Sequence, residues 1–130
     1  GAGFIGSNLV DKLIDMEFDV TILDDLSTGK KENINPKAKF IECDLSTVSH
    51  ADLTFYINGA DTIFHLAAMA RVQPSIEQPV PFHNANVTGT HNLLVAARDM
   101  KVKRFVFSSS SSVYGNATIP TPEDHMHCIN

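Results

Sequence analysis

The chain has 130 residues, of which 43% are hydrophobic and 19% charged, the balance of a single globular domain rather than of a disordered or fibrous chain. Its formal net charge of −5 argues against a nucleic-acid partner, which needs clustered Lys and Arg to displace counterions; Lys30, Lys31 and the stretch from Lys101 to Arg104 read as solvated ends of elements. No apolar run is long enough to cross a bilayer, no signal-peptide pattern opens the chain, and Cys43 and Cys128 stand far apart, so a reduced, cytoplasmic protein with no membrane partner is expected.

The first six residues read Gly1-Ala2-Gly3-Phe4-Ile5-Gly6. A glycine turn of this kind lets backbone come close to a pyrophosphate and aims the N–H groups of a following helix at the anion, where the helix dipole assists. Taken alone the pattern is a weak signal. The helix follows at once: residues 7–16 carry Leu9, Val10, Leu13 and Ile14 on one stripe, with Asp and Lys opposite. Residues 20–23 form a β-branched run that ends in Asp24 and Asp25.

Asp24 falls about twenty residues after the turn, where a dinucleotide fingerprint places the acid that holds the adenosine ribose. A carboxylate there accepts both ribose hydroxyls. It also repels a 2′-phosphate by roughly 4 kcal/mol at contact distance with an effective dielectric near 20, which favours NAD over NADP. The competing reading of Asp24 is a plain turn carboxylate at a strand end.

Residues 25–36 are polar, with turns at Ser27-Thr28-Gly29 and Asn35-Pro36. A second strand is expected over Lys39–Glu42, a weak helix within residues 49–57 stopped by Asn58-Gly59, and a third strand over residues 62–66. Residues 79–99 form the strongest helix pattern, with Val87, Thr90, Leu93, Leu94 and Ala97 on one face and Gly89 weakening its middle. A fourth strand over Arg104–Phe107 leads into Ser108 to Ser112 and then Val113-Tyr114-Gly115.

Short apolar strands alternating with helices imply an α/β fold, a Rossmann-type doubly wound parallel sheet. Residues 1–130 are expected to be one partial dinucleotide-binding domain. The strand that should precede the glycine turn sits at the centre of such a sheet, and both ends of the chain look cut. The isolated chain is therefore expected to aggregate or to behave as a molten globule.

Metal binding is not expected. His125-Met126-His127-Cys128 gathers soft donors, but without an ordered scaffold in the sequence, and His83 and His91 stand two helical turns apart; neither arrangement has the usual zinc spacing.

Six segments occur in order: Gly3-Phe4-Ile5-Gly6-Ser7-Asn8, Leu23-Asp24-Asp25-Leu26-Ser27-Thr28-Gly29, Asp44-Leu45, His65-Leu66-Ala67-Ala68, Asn86-Val87-Thr88-Gly89-Thr90 and Ser108-Ser109-Ser110-Ser111-Ser112-Val113-Tyr114-Gly115. Each is modest alone. Together, and over essentially the whole chain, they resemble the extended short-chain dehydrogenase/reductase family in its nucleotide-sugar epimerase/dehydratase branch.

The resemblance implies an NAD site. Phe4 and Ile5, between Gly3 and Gly6, match positions whose backbone meets the pyrophosphate. Asp24, Asp25, Leu26, Ser27, Thr28 and Gly29 match the loop around the adenosine ribose and phosphates, and Asp44 and Leu45 the pair beside the adenine ring. Leu66, Ala67, Ala68, Met69 and Ala70 match the loop under the nicotinamide half; small side chains suit a cofactor lying against backbone. Ser110 matches the Ser/Thr that hydrogen-bonds the reacting sugar hydroxyl, with Ser111 beside it. Arg71 fits either a substrate contact or a surface arginine. The family's Tyr-x-x-x-Lys pair comes further downstream. Tyr114 is not that tyrosine, because position 118 is Thr118.

The implied activity is a 4-epimerase acting on a nucleotide-linked sugar (a UDP-hexose, UDP-N-acetylhexosamine or UDP-uronate) by transient oxidation at C4. The family's 4,6-dehydratases carry Thr-Asp-Glu where this chain has Ser110-Ser111-Ser112, and its uronate decarboxylases carry Glu at the Ser112 position, so the acid pair that elimination needs is missing. A dehydratase, a reductase or a non-catalytic NAD-binding module remain the alternatives. The resemblance also implies a homodimer for the full-length protein.

Overall fold

In the computed structural model, which describes residues 1–125, helix α1 (Phe4–Asp15) springs directly from the glycine turn. It starts three residues before the expected helix of residues 7–16. Phe4 and Ile5 are 85% and 64% exposed, so they belong to the helix without belonging to its buried face, which is made by Gly6 and Val10. Glu17 takes a positive φ of 62° and turns the chain into β1 (Thr21–Asp24).

Strand β1 pairs in parallel with β2 (Lys39–Glu42), in register from Thr21 opposite Lys39 to Asp24 opposite Glu42. The polar connection between them folds back on the glycine turn: the Lys30 N–H and the Asn33 side-chain amide both donate to the Ala2 carbonyl, each at 3.1 Å. Ala2 is thereby fully buried without leaving its carbonyl unpaired.

Helix α2 (His50–Tyr56) is capped by Ser49, whose hydroxyl accepts from the Asp52 N–H at 3.1 Å. It ends where Gly59 adopts a φ of 80°. Then comes β3 (Thr62–His65), which pairs in parallel with β4 (Arg104–Phe107), from Thr62 opposite Arg104 to His65 opposite Phe107. Among the described residues the expected parallel sheet is thus present as two parallel pairs, β1 with β2 and β3 with β4.

The segment between β3 and β4 departs most from the sequence expectation. The periodicity gave no element over residues 72–77, yet α3 (Val72–Glu77) forms there. Pro74, which reads as a breaker, lies in the first turn of α3, where a missing N–H costs no helical bond. The expected single helix over residues 79–99 is α4 (Pro79–His83), a π-helical turn (Asn84–Thr88) and α5 (Gly89–Asp99).

The buried face of α5 is Gly89, Leu93, Ala96 and Ala97, so the expected stripe needs correction. Val87 and Leu94 are 53% and 45% exposed, because about 100° of helical rotation separates Leu94 from Leu93. Gly89 is not a weak point either. A Cβ there would stand 3.1 Å from the Leu45 Cβ; the glycine lets α5 press against the segment after β2.

Leu53 and Ile57 of α2 and its end meet Leu93, Ala96 and Ala97 of α5 in the main core cluster. Leu23, Leu45, Val48, Ile63, Met100, Val102 and Phe105 pack around it. Both strand pairs contribute to this cluster, which ties the two halves of the domain together through one apolar body. Trimming a buried leucine in such a core to alanine costs about 2–5 kcal/mol.

Candidate functional site

A cavity of about 350 Å³ opens beyond the carboxyl ends of β1 and β3, the place where open α/β sheets take their ligands. Its floor is the glycine turn and the start of α1, through Gly1, Gly3, Phe4, Ile5 and Gly6. One wall is the end of β1 with its loop, through Leu23, Asp24, Asp25, Ser27 and Thr28. Cys43, Asp44, Leu45 and Ser46 continue it. The opposite wall is Leu66, Ala67, Ala68 and Met69, joined by Ala85 and Ser108.

The glycines of the turn serve different ends. A Cβ on Gly6 would stand 3.0 Å from the Gly1 Cα, and one on Gly29 would stand 2.8 Å from the Ala2 Cβ; both glycines permit close packing of protein on protein. Gly3 differs. Its φ of −80° and ψ of 175° suit any residue, and a Cβ there would meet no protein atom within 4 Å. The space beside Gly3 therefore opens on the cavity. At the same point α1 begins with no side-chain cap and no acid in its first turn, leaving first-turn N–H groups and the positive end of the helix for an anion. These features fit a pyrophosphate.

Asp24 is the most heavily bonded side chain of the site. Its Oδ2 accepts from the amino-terminal ammonium of Gly1 at 2.7 Å and the Ala2 N–H at 2.8 Å, and its Oδ1 accepts from the Leu26 N–H at 2.9 Å. Burial pushes the carboxyl upward, but the ammonium, with the Ala2 and Leu26 N–H groups, outweighs it and holds the pKa below the ordinary 3.8. A carboxylate offers about four acceptor positions. Beside these donors the carboxylate keeps acceptor capacity on Oδ1 for a ribose hydroxyl.

Asp44 is exposed at the cavity edge. Its Oδ1 accepts from the Ser46 hydroxyl at 2.7 Å and the Ser46 N–H at 2.8 Å, and these bonds hold it below 3.8 against slight burial. Cys43 is a free, buried thiol, raised above its ordinary value by burial and then by the charges of Asp44, Asp25 and Asp52. It offers packing rather than a nucleophile.

The remaining expected residues divide. Leu26 and Gly29 do not line the cavity; they act behind it, on Asp24 and Ala2. Ala70 lies past the wall. Arg71 is exposed, with a φ of 98°, at the start of α3. Ser110 and Ser111 are exposed and also off the cavity lining. The Ser110 hydroxyl accepts from the Ser112 N–H at 3.2 Å and caps the short 3₁₀ turn Ser111–Tyr114. Of the soft-donor segment, Met126, His127 and Cys128 lie outside the described residues.

Two features carried no assigned role in the sequence. The Asn86 side chain bonds the Met69 backbone twice, accepting from its N–H at 2.8 Å and donating to its carbonyl at 2.9 Å. His65, only 3% exposed, lies between the rings of Phe105 and Phe107 with its Nε2 2.7 Å from the Thr90 hydroxyl. Asn86 and Thr90 stand in one motif that resembles the family's, and that was the available signal; their contacts depend on the π-helical turn, which periodicity does not reveal.

The pattern of the family described as "NAD dependent epimerase/dehydratase family" matches residues 1–128. The chain belongs to that family.

Within it, a Methanocaldococcus jannaschii protein provisionally named UDP-glucose 4-epimerase is 46% identical over the whole chain, which spans 42% of that relative. A solved structure of the Thermotoga maritima UDP-glucose 4-epimerase with UDP-glucose is 38% identical, with a TM-score of 0.86 over 98% of this chain and 42% of that one. The Thermus thermophilus UDP-glucose 4-epimerase in complex with NAD is 32% identical, with a TM-score of 0.85 over 98% and 42%. The chain thus spans less than half the length of these epimerase/dehydratase relatives.

Two expectations follow. Gly3→Ala in the full-length protein should lower stability by no more than about 1 kcal/mol, the scale of an N-cap change. It should weaken NAD by about tenfold, as expected for an overpacking cost of about 1–3 kcal/mol. Gly6→Ala should instead lower the melting temperature. Calorimetry and thermal melts check both, and a Gly3→Ala variant with unchanged NAD affinity would refute the cradle.

His65 gives the second. Burial holds the imidazole below its ordinary 6.5, so the neutral ring stabilises the fold fully above pH 6.5, and that contribution is lost as pH falls toward the depressed value. Asp24 and Asp44, both below 3.8, stay ionised throughout this window. The melting temperature should therefore drop between pH 7.5 and 5.5, with a smaller drop in His65→Gln; equal drops in the two proteins would remove His65 from the account.

Proposed function

We propose that the full-length protein is an NAD-dependent 4-epimerase of nucleotide-linked sugars, and that the residues described here form its NAD-binding half. Gly3 carries the cofactor part of this reading: a glycine with no protein reason to be one, facing the cavity at a free helix N-terminus. The names of the three relatives support the reaction.

In this reading the turn from Gly3 to Gly6 holds the pyrophosphate. Asp24 takes a ribose hydroxyl and repels a 2′-phosphate, which selects NAD. Asp44 and Leu45 flank the adenine, and Leu66 to Met69 present backbone and small side chains to the nicotinamide half. Bound NAD supplies an acceptor for the hydride of the sugar C4 and a donor that returns it to the opposite face. Ser110 orients the reacting hydroxyl, with Ser111 and Arg71 toward the sugar nucleotide. For that role Ser110 keeps an acceptor position beside the Ser112 N–H, and it donates to substrate by redirecting the proton it gives the Ser112 hydroxyl at 3.1 Å.

The end of β4 favours epimerisation over elimination. Ser110, Ser111 and Ser112 supply no carboxylate, and dehydration needs an acid and a base at that place. A UDP-hexose, UDP-N-acetylhexosamine or UDP-uronate all suit the reading.

We further propose a cytoplasmic homodimer. No described helix is long and apolar enough to cross a membrane, and Val80, Val87 and Leu94 leave apolar surface exposed along one helical run.

Incubating the full-length protein with UDP-galactose and with UDP-N-acetylgalactosamine should yield the corresponding 4-epimers. A 4-keto-6-deoxy product would reassign the reaction to dehydration, and absence of any NAD affinity would end the cofactor reading. The mass in solution should be twice that of one chain; a monomer would remove the dimer.

A further inference from the structure

We propose that Asn86 is a positioning residue that sets the nicotinamide-side loop by clamping the Met69 peptide, and that Thr90 and His65 hold Asn86 in place. The inference rests on the dinucleotide reading of the cavity and goes beyond it.

The loop after β3 has no ladder to define it. Its residues Leu66 to Met69 line the cavity, and Met69 would have a free peptide were it not for Asn86. A primary amide pairs with a peptide as another strand would, one acceptor and one donor side by side. Asn86 does so at 2.8 and 2.9 Å across seventeen residues of sequence. A single bond would fix one point; the reciprocal pair holds both peptide groups that flank the Met69 Cα.

Asn86 is itself held from behind. Its backbone carbonyl, not the amide that grips Met69, accepts from the Thr90 hydroxyl at 2.7 Å, a bond within the helical run. Since that hydroxyl has spent its proton, the His65 Nε2 at 2.7 Å must be the donor to Thr90. His65 is immobilised in turn between Phe105 and Phe107. The buried end of β3 is thus bonded, through Thr90 on α5, to the helix backbone at Asn86, and the side chain carried by that backbone reaches the loop that follows β3.

Asn86 lies within the π-helical turn Asn84–Thr88. Such a turn inserts a residue into the helical repeat and re-aims the side chains on it, and π turns occur frequently at functional sites. Here the same turn sends Ala85 to the cavity wall and Asn86 to the loop.

The test uses the full-length protein and two probes, ADP for the adenosine half and NAD for the whole cofactor. Asn86→Ala should weaken NAD about tenfold while ADP stays within about twofold. Thr90→Val, which keeps shape but loses the hydroxyl, should weaken NAD in the same direction, and Thr90→Ser should restore it. The ADP affinity of each variant reports that it is folded. NAD binding at the parent level in Asn86→Ala, or an equal loss of ADP and NAD, would overturn the clamp. Parent-level NAD binding in Thr90→Val would overturn the part of Thr90 and His65. A parent protein that binds neither probe would instead sink the dinucleotide reading, and this inference with it.

Discussion

The Asp24 carboxylate ties the glycine turn to the end of β1 and to the loop that follows it. It lies at the end of β1, takes the nitrogens of Gly1 and Ala2 from the glycine turn, and takes the Leu26 N–H from its own loop. Even a half-buried carboxylate loses solvation, which hydrogen bonds must replace. Here two of the donors belong to the turn that forms the cavity floor, so the partial burial of Asp24 and the shape of the site are served by the same bonds. The Ala2 carbonyl, bonded by Lys30 and Asn33, completes the arrangement from the other side.

The site divides into two halves made by different means. At the wall made by the ends of β1 and β2 the backbone is fixed by glycines and by short side-chain bonds within a few residues, as in Asp25 with Ser27 and Asp44 with Ser46. At the opposite wall the loop after β3 depends on a distant helix, through Asn86, and on a buried histidine behind it. The first half is locally encoded. The second is assembled only once α5 has packed on α2, with Gly89 against Leu45 and the Asn92 amide donating to the Leu45 carbonyl at 3.0 Å. The core cluster is thus what brings the two halves to one cavity.

The family pattern and the fold agree with what short local signals implied. The glycine turn, the acid after β1 and the bounds of β2 and β4 were legible because each depends on neighbours in sequence: a turn that needs glycine, a strand end about twenty residues after it, an apolar run of four. The reading of Ser110 was carried by resemblance alone. In the structure its hydroxyl caps a local turn, a competing local use that serines commonly make.

By itself, the sequence determined the type of α1, α2 and the four strands, the glycine turn and the acid that closes β1, because backbone conformation and helix polarity follow from residues close together in the chain. The tertiary structure alone decided the rest. It spent two acceptor positions of Asp24 on the turn, put Gly89 at a packing contact, added α3, broke the long helix with a π turn, and set Asn86 against Met69. Each of these depends on two segments far apart in sequence competing for one volume or one hydrogen bond, and periodicity carries no information about which of them wins.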